Sequence, residues 1–173
     1  MMPDVRSRSD VPMPPTYRKI LFICHANTSR SIIAEALMKK MLEERALHEH
    51  LTVESGGIAA YARDGALVSM DARLVLRDEG IHIPSDSVST DLKRNRRMVA
   101  DADLILAMTG EQVRMLRDAF PESHGKPVFT LKEFAGGHGD IEDPAGRDEN
   151  FFAACRDAIK ACLEKAVDRL AAS

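Results

Sequence analysis

Cys24 and Arg30 are separated by five residues in the run Cys24-His25-Ala26-Asn27-Thr28-Ser29-Arg30-Ser31. A thiol and a guanidinium at that spacing act together if the run is a loop wrapped on the N-terminus of a helix. The backbone N–H groups of His25, Ala26, Asn27, Thr28 and Ser29 then point into one concavity, and the helix dipole adds partial positive charge. Such a concavity binds an oxyanion. The planar fork of Arg30 can hold two phosphate oxygens at once. Cys24 sits at the floor, where amides, dipole and guanidinium all favour thiolate over thiol. A thiolate facing bound phosphate is a nucleophile. Ser31 can donate a hydrogen bond to the sulfur. Asn27 tolerates left-handed backbone and can hold a tight loop by local hydrogen bonds. The competing reading of Cys24 is a small buried hydrophobe, the usual role of a free cysteine. Far along the chain, Asp143-Pro144 lies in a Gly- and Asp-rich stretch. An Asp on such a loop, aimed at a leaving oxygen, can serve as general acid. Asp140, Glu142 and Asp148 compete for that role.

These residues need elements to position them. Arg18 to Cys24, RKILFIC, is a short apolar run suited to a strand buried on both faces of a parallel sheet. Ile32 to Arg45 follows at helical spacing, with Ser29 as the expected N-cap. Residues 51–55 (LTVES) predict a second strand, broken by Gly56 and Gly57. A helix is expected over Asp71–Gly80, with Gly80 as its stop. Pro84–Asn95 reads as a loop entering a polar helix near Asp91. Asp103–Met108 predicts a third strand, Gln112–Phe120 a helix ended by Pro121, and Pro127–Leu131 a fourth strand. Phe134–Asn150 is a long loop of the kind that carries function. Phe151–Leu170 closes as an amphipathic helix. Strands alternating with helices predict a three-layer, doubly wound α/β fold on a four-stranded parallel sheet. Ligands in such sheets bind at the carboxyl ends of the strands, where the cysteine loop sits.

Length and composition agree with one soluble domain. The chain has 173 residues, 45% hydrophobic and 29% charged. Residues 1–17 are rich in Pro and charge and read as a tail without fixed structure, leaving 18–173 as the domain. Lys and Arg number 24 against 27 Asp and Glu, a net charge of −3, so no basic surplus points to nucleic acid or an anionic membrane. Three cysteines do not make a disulfide framework and fit a reducing, cytoplasmic setting. Cys155 and Cys162 lie seven apart on one helix, about 10 Å, too far for a disulfide and better suited to packing. The run Lys93, Arg94, Arg96, Arg97 reads as a solvated helix face, and His25 as a solvent-facing loop residue.

The loop CHANTSRS after ILFI, the SGG turn after the second strand, DADLILAM and the late DIEDPAG resemble the low-molecular-weight protein-tyrosine phosphatases, from about Lys19 to Leu170. Thr28, LAMT (106–109), VFTLKEF (128–134) and HGD (138–140) resemble the bacterial protein-arginine phosphatase branch. The resemblance implies that Cys24 attacks phosphorus, Arg30 and the loop amides hold the oxygens, and Asp143 protonates the leaving group and then activates water. Asn27 and Ser31 support the loop, and no metal or cofactor is involved. The implied partners are a phosphorylated protein and, in the loop, inorganic phosphate. The sequence departs from the pattern at His25-Ala26, where a small or apolar residue and then Gly are usual. An Ala at a left-handed position would be strained by about 1–2 kcal/mol. It departs again at Ser29, in place of a second loop cysteine, and at Ala145 and Ala59, in place of aromatic walls. Tyr61 is near enough in sequence to substitute for one wall. Alternatives are an arsenate reductase, which needs further cysteines, and a phosphate-binding module of weak activity.

Overall fold

The computed structural model describes residues 17–172. Residues 1–16 of the expected tail lie outside the described residues. Tyr17, at its end, packs edge-on against Phe134 with ring centroids 6.1 Å apart.

Strand β1 (Lys19–Cys24) pairs on both sides, with β2 (Thr52–Gly57) and β3 (Leu104–Ala107), and β4 (Val128–Thr130) pairs with β3. All pairings are parallel, in the order β2-β1-β3-β4. The predicted doubly wound sheet is therefore what forms. The apolar run in β1 explains its central place. Ile20, Phe22 and Cys24 face one core, with α1 (Arg30–Glu44), α2 (Met70–Arg77) and α6 (Glu149–Ala172). Leu21 and Ile23 face the other, with α3 (Arg96–Asp101) and α4 (Gly110–Ala119). A period of two, apolar on both phases, is the pattern of a strand covered on both faces. A short helix α5 (Leu131–Phe134) follows β4. Among the described residues, no helix is long and apolar enough to cross a membrane.

The chain leaves β1 toward β2 on one side and returns to β3 on the other. The switch point opens at the carboxyl end of β1, where an α/β sheet of this kind accepts ligands. Gly80 ends α2 as expected. It has φ +78°, its N–H bonds Arg77 O at 2.9 Å, and Ile81 N–H reaches back to Leu76 O at 3.0 Å.

The predicted helix near Asp91 begins five residues later, at Arg96. Gly57 N–H bonds Thr90 O, and Leu92 N–H bonds Gly57 O, both at 2.9 Å, so residues 90–92 extend the free edge of β2. Polar composition hid a segment whose backbone is engaged with the sheet. The basic run also differs from expectation. Lys93 turns inward to the carbonyls of Ala59 and Ala62 and to Asp91. Arg96 bonds Glu122 at 2.8 Å and lies over the Phe120 ring. Arg94, exposed, and Arg97, 89% exposed, fit the expected solvated face.

Gly57 is required by close approach. A Cβ there would lie 2.8 Å from His25 O and from the Ala26 carbonyl carbon. Gly57→Ala should destabilise the fold by about 1–3 kcal/mol and lower activity together with stability, because the atoms it displaces are backbone of the cysteine loop. Urea unfolding alongside kcat/KM checks this.

Candidate active site

Cys24 is the last residue of β1, and the ladder continues beyond it. Ile58 N–H bonds Cys24 O, and Ala59 N–H bonds His25 O, both at 3.0 Å. The chain then turns sharply through Asn27, at φ +64°. Among the described residues, Asn27 and Ala46 are the non-glycines with positive φ, so Ala26 does not carry the strain considered for it. Ser29 precedes α1 as expected but its side chain makes no capping bond; its carbonyl accepts Ile33 N–H at 2.8 Å. The first-turn amides of α1 therefore keep their partial positive charge toward the loop. Thr28, half-buried, is tied by its carbonyl to Ser69 N–H at 2.9 Å.

The polarity of the bonds around the sulfur follows from one backbone donor. Thr90 N–H donates to Asn27 Oδ1 at 2.9 Å, which fixes the orientation of that amide. Asn27 Nδ2 must then donate to Ser31 Oγ at 2.7 Å and Ser55 Oγ at 2.9 Å. The Ser55 hydroxyl in turn donates to Glu35. Ser31, already accepting from Asn27, has its own proton to give, and Cys24 Sγ stands 2.9 Å away. Asn27 N–H adds a second donor to the sulfur at 3.3 Å. Two hydrogen-bond donors are thus aimed at the buried sulfur.

Arg30 is 3% exposed. Its Nη1 donates to Ile141 O at 2.7 Å, and its Nη2 lies 3.4 Å from His25 Nδ1 and 3.6 Å from Asp143 Oδ2. The segment around Asp143 is pinned to the end of β3 and the start of α4: Ile141 N–H bonds Met108 O, and Gly110 N–H bonds Asp140, both at 2.9 Å. This separates the competing acids. Asp140 is spent on α4, and Asp148 accepts from Phe151 N–H at 3.1 Å at the start of α6. Asp143 is half-exposed; its Oδ1 accepts Ala145 N–H at 3.0 Å, and its Oδ2, alone among these acids, lies beside the Arg30 guanidinium. Glu142 is exposed and contributes a backbone oxygen near Cys155. So the fold brings Cys24, Arg30, Asp143, Asn27 and Ser31 together.

His25 is not merely solvent-facing: Gln112 Nε2 lies 3.2 Å from its Nδ1. Gln112, Ser55, Thr90 and Glu35 are site residues that the sequence reading missed. For Gln112 a signal existed, since Thr109 and Gln112 stand at capping-box spacing and form that box at the head of α4. Among the described residues, no group of His, Cys, Asp and Glu side chains is arranged to hold a metal ion.

A buried sulfur fed by hydrogen-bond donors, across from a guanidinium at the carboxyl edge of a parallel sheet, is the arrangement of a cysteine-dependent phosphatase. The model of the low molecular weight phosphotyrosine protein phosphatases matches residues 19–173, and the chain belongs to that family. It is 35% identical to a protein-arginine-phosphatase of Geobacillus stearothermophilus, over 88% of this chain and 95% of that one. It is 34% identical to the low molecular weight protein-tyrosine-phosphatase PtpB of Staphylococcus haemolyticus, over 74% and 82%. A solved mutant of the arginine phosphatase YwlE, bearing a phosphorylated active-site serine, superposes with TM-score 0.80 at 32% identity, covering 88% of this chain and 95% of that one. Arsenate reductase 1 of Staphylococcus epidermidis is also similar, at 29% over 88% and 98%.

A reductase relay needs a second thiolate. Cys155, buried in α6, has its thiol pushed up to about 11 by burial. Cys162 is also raised by burial. In the native protein at neutral pH, iodoacetamide should leave Cys155 unmodified, and unfolding should expose it; peptide mapping of both samples checks this. Asn27→Ala should cost about 1–3 kcal/mol for each buried partner left unsatisfied. Asn27→Gly should be less destabilised than Asn27→Ala by about 1 kcal/mol, because it relieves the left-handed strain. Urea melts of the two variants measure the difference.

Proposed function

We propose that the chain hydrolyses phosphorylated protein side chains in two steps through a cysteinyl-phosphate on Cys24. The observation that carries this is the directed relay of donors from Thr90 through Asn27 and Ser31 to the sulfur. In the first step the Cys24 thiolate attacks phosphorus. The S–P bond forms, the bond to the leaving oxygen or nitrogen breaks, and Asp143 gives its proton to the leaving atom. In the second step water attacks phosphorus, Asp143 takes its proton, and the S–P bond breaks to release inorganic phosphate. Arg30 and the backbone amides of His25, Ala26, Thr28 and Ser29 hold the equatorial oxygens, where the transferring group concentrates its charge, while the Asn27 amide stays on the sulfur. The phosphorylated serine of the YwlE mutant supports a covalent intermediate at the equivalent step. A cytoplasmic setting is consistent with the free thiols of Cys24, Cys155 and Cys162.

Phosphotyrosine and phosphoarginine are the substrates to compare. Ala145 follows Asp143-Pro144 without an aromatic ring, and Tyr61 is 69% exposed. Neither Ala145 nor Ala59, whose N–H bonds His25 O, offers a ring to stack on a phenyl leaving group, which leaves exposed Tyr61 to supply one, and an ionic leaving group suits such a site better. Together with the likeness to protein-arginine-phosphatases, this favours phosphoarginine, with Thr28 as selector.

Cys24→Ser should abolish p-nitrophenyl phosphate turnover. Asp143→Asn should lower kcat about 10²- to 10⁴-fold with little change in KM. Thr28→Ile should shift the preference from phosphoarginine toward phosphotyrosine peptides. An unchanged ratio removes Thr28 as selector, and oxyanion binding without turnover by the wild type makes the chain a phosphate-binding module.

A further inference from the structure

His25 occupies the loop position directly after the nucleophile, and its ring meets more than solvent. Gln112 is fully buried, and its Oε1 accepts from two backbone amides, Met108 N–H at 2.9 Å and Thr109 N–H at 3.3 Å. Those donors cannot reverse, so the other end of the amide, Nε2, is what faces His25 Nδ1 at 3.2 Å. An amide nitrogen only donates. His25 Nδ1 is therefore an acceptor, and the ring proton belongs on Nε2, 3.8 Å from Glu111 Oε1. A second donor converges on the same lone pair: Arg30 Nη2, at 3.4 Å. Both contacts are long, as expected for a shared acceptor.

Resting on the phosphatase reading, we infer that His25 is a positioning residue for Arg30: its Nδ1, locked as an acceptor by Gln112, holds one arm of the guanidinium while Ile141 O holds the other. The fork is thereby oriented before phosphate arrives, so less ordering is left to do on binding. The charged groups around the ring are Arg30 from its own loop, Glu111 from α4 and, beyond Arg30, Asp143 from its loop.

His25→Leu removes the acceptor. His25→Asn keeps an oxygen that can accept near Nδ1 but cannot titrate. Gln112→Glu keeps an oxygen for Met108 N–H and Thr109 N–H but replaces the donor by an acceptor, drawing a proton onto Nδ1. With p-nitrophenyl phosphate, kcat/KM should fall about tenfold in His25→Leu and in Gln112→Glu, and be rescued to within about threefold in His25→Asn. KM and the inhibition constant of inorganic phosphate should rise in the two impaired variants. Equal losses in His25→Leu and His25→Asn at unchanged melting temperature, or no loss in either, would overturn the inference. Should His25→Leu fail to fold, Gln112→Glu decides. Activity surviving in Cys24→Ser would instead overturn the phosphatase reading itself.

Discussion

A buried sulfur holds negative charge only if hydrogen-bond donors are aimed at it, and side-chain hydroxyls and amides can turn either way. The fold resolves this by starting each chain of bonds at a backbone N–H. Thr90 N–H orients Asn27, Asn27 orients Ser31, and Ser31 is left with a proton for Cys24. On the opposite rim, Met108 N–H and Thr109 N–H orient Gln112, which orients His25 toward Arg30. Both chains begin on main-chain donors, which lose no direction when the loop is empty. Preorganisation of this kind is what electrostatic catalysis requires, since the donors need not reorient as charge develops.

The sheet topology makes the two chains possible. Thr90 belongs to the segment that extends the free edge of β2, and Met108 follows β3 directly. The strands flank β1, so the loop after β1 is polarised from both neighbours. Parallel pairing also places the ends of β1, β2 and β3 on one side. The segment bearing Asp143 comes to the same place because Ile141 N–H bonds Met108 O. Arg30 and Asp143, 113 positions apart, meet because one follows the end of β1 and the other's segment is tied to the end of β3.

What was legible in the sequence were features carried by residue type and local period. The apolar run of β1, the Gly80 stop, the Cys-x5-Arg spacing and the left-handed tolerance of Asn27 need no distant partner to be recognised. What was hidden depended on pairing across the fold. Asp91 looked helical because Lys93 and Arg94 are polar, yet its neighbours are hydrogen-bonded to Gly57. Lys93 and Arg96 read as surface charge, while their partners are carbonyls and an aromatic ring that sequence spacing does not bring near. Asp143 could be separated from Asp140 and Asp148 only when its place beside the Arg30 guanidinium was known.

The loop's departures from its family's pattern compensate one another. Glycine after His25 would allow the backbone to lie close to β2, and Ala26 has no such freedom. The room comes from the other side: Gly57, whose absent Cβ would lie 2.8 Å from the loop backbone. The left-handed step falls on Asn27, a residue type that tolerates it. With the left-handed step on Asn27 and the space supplied by a neighbouring strand, an alanine fits without strain. The side chain before it is then free to be something other than a spacer. His25 uses that freedom to reach both Gln112 and Arg30. An apolar residue there would fill the same volume but leave Arg30 Nη2 without its nitrogen acceptor, so the orientation of the guanidinium would rest on Ile141 O and the half-exposed Asp143 alone.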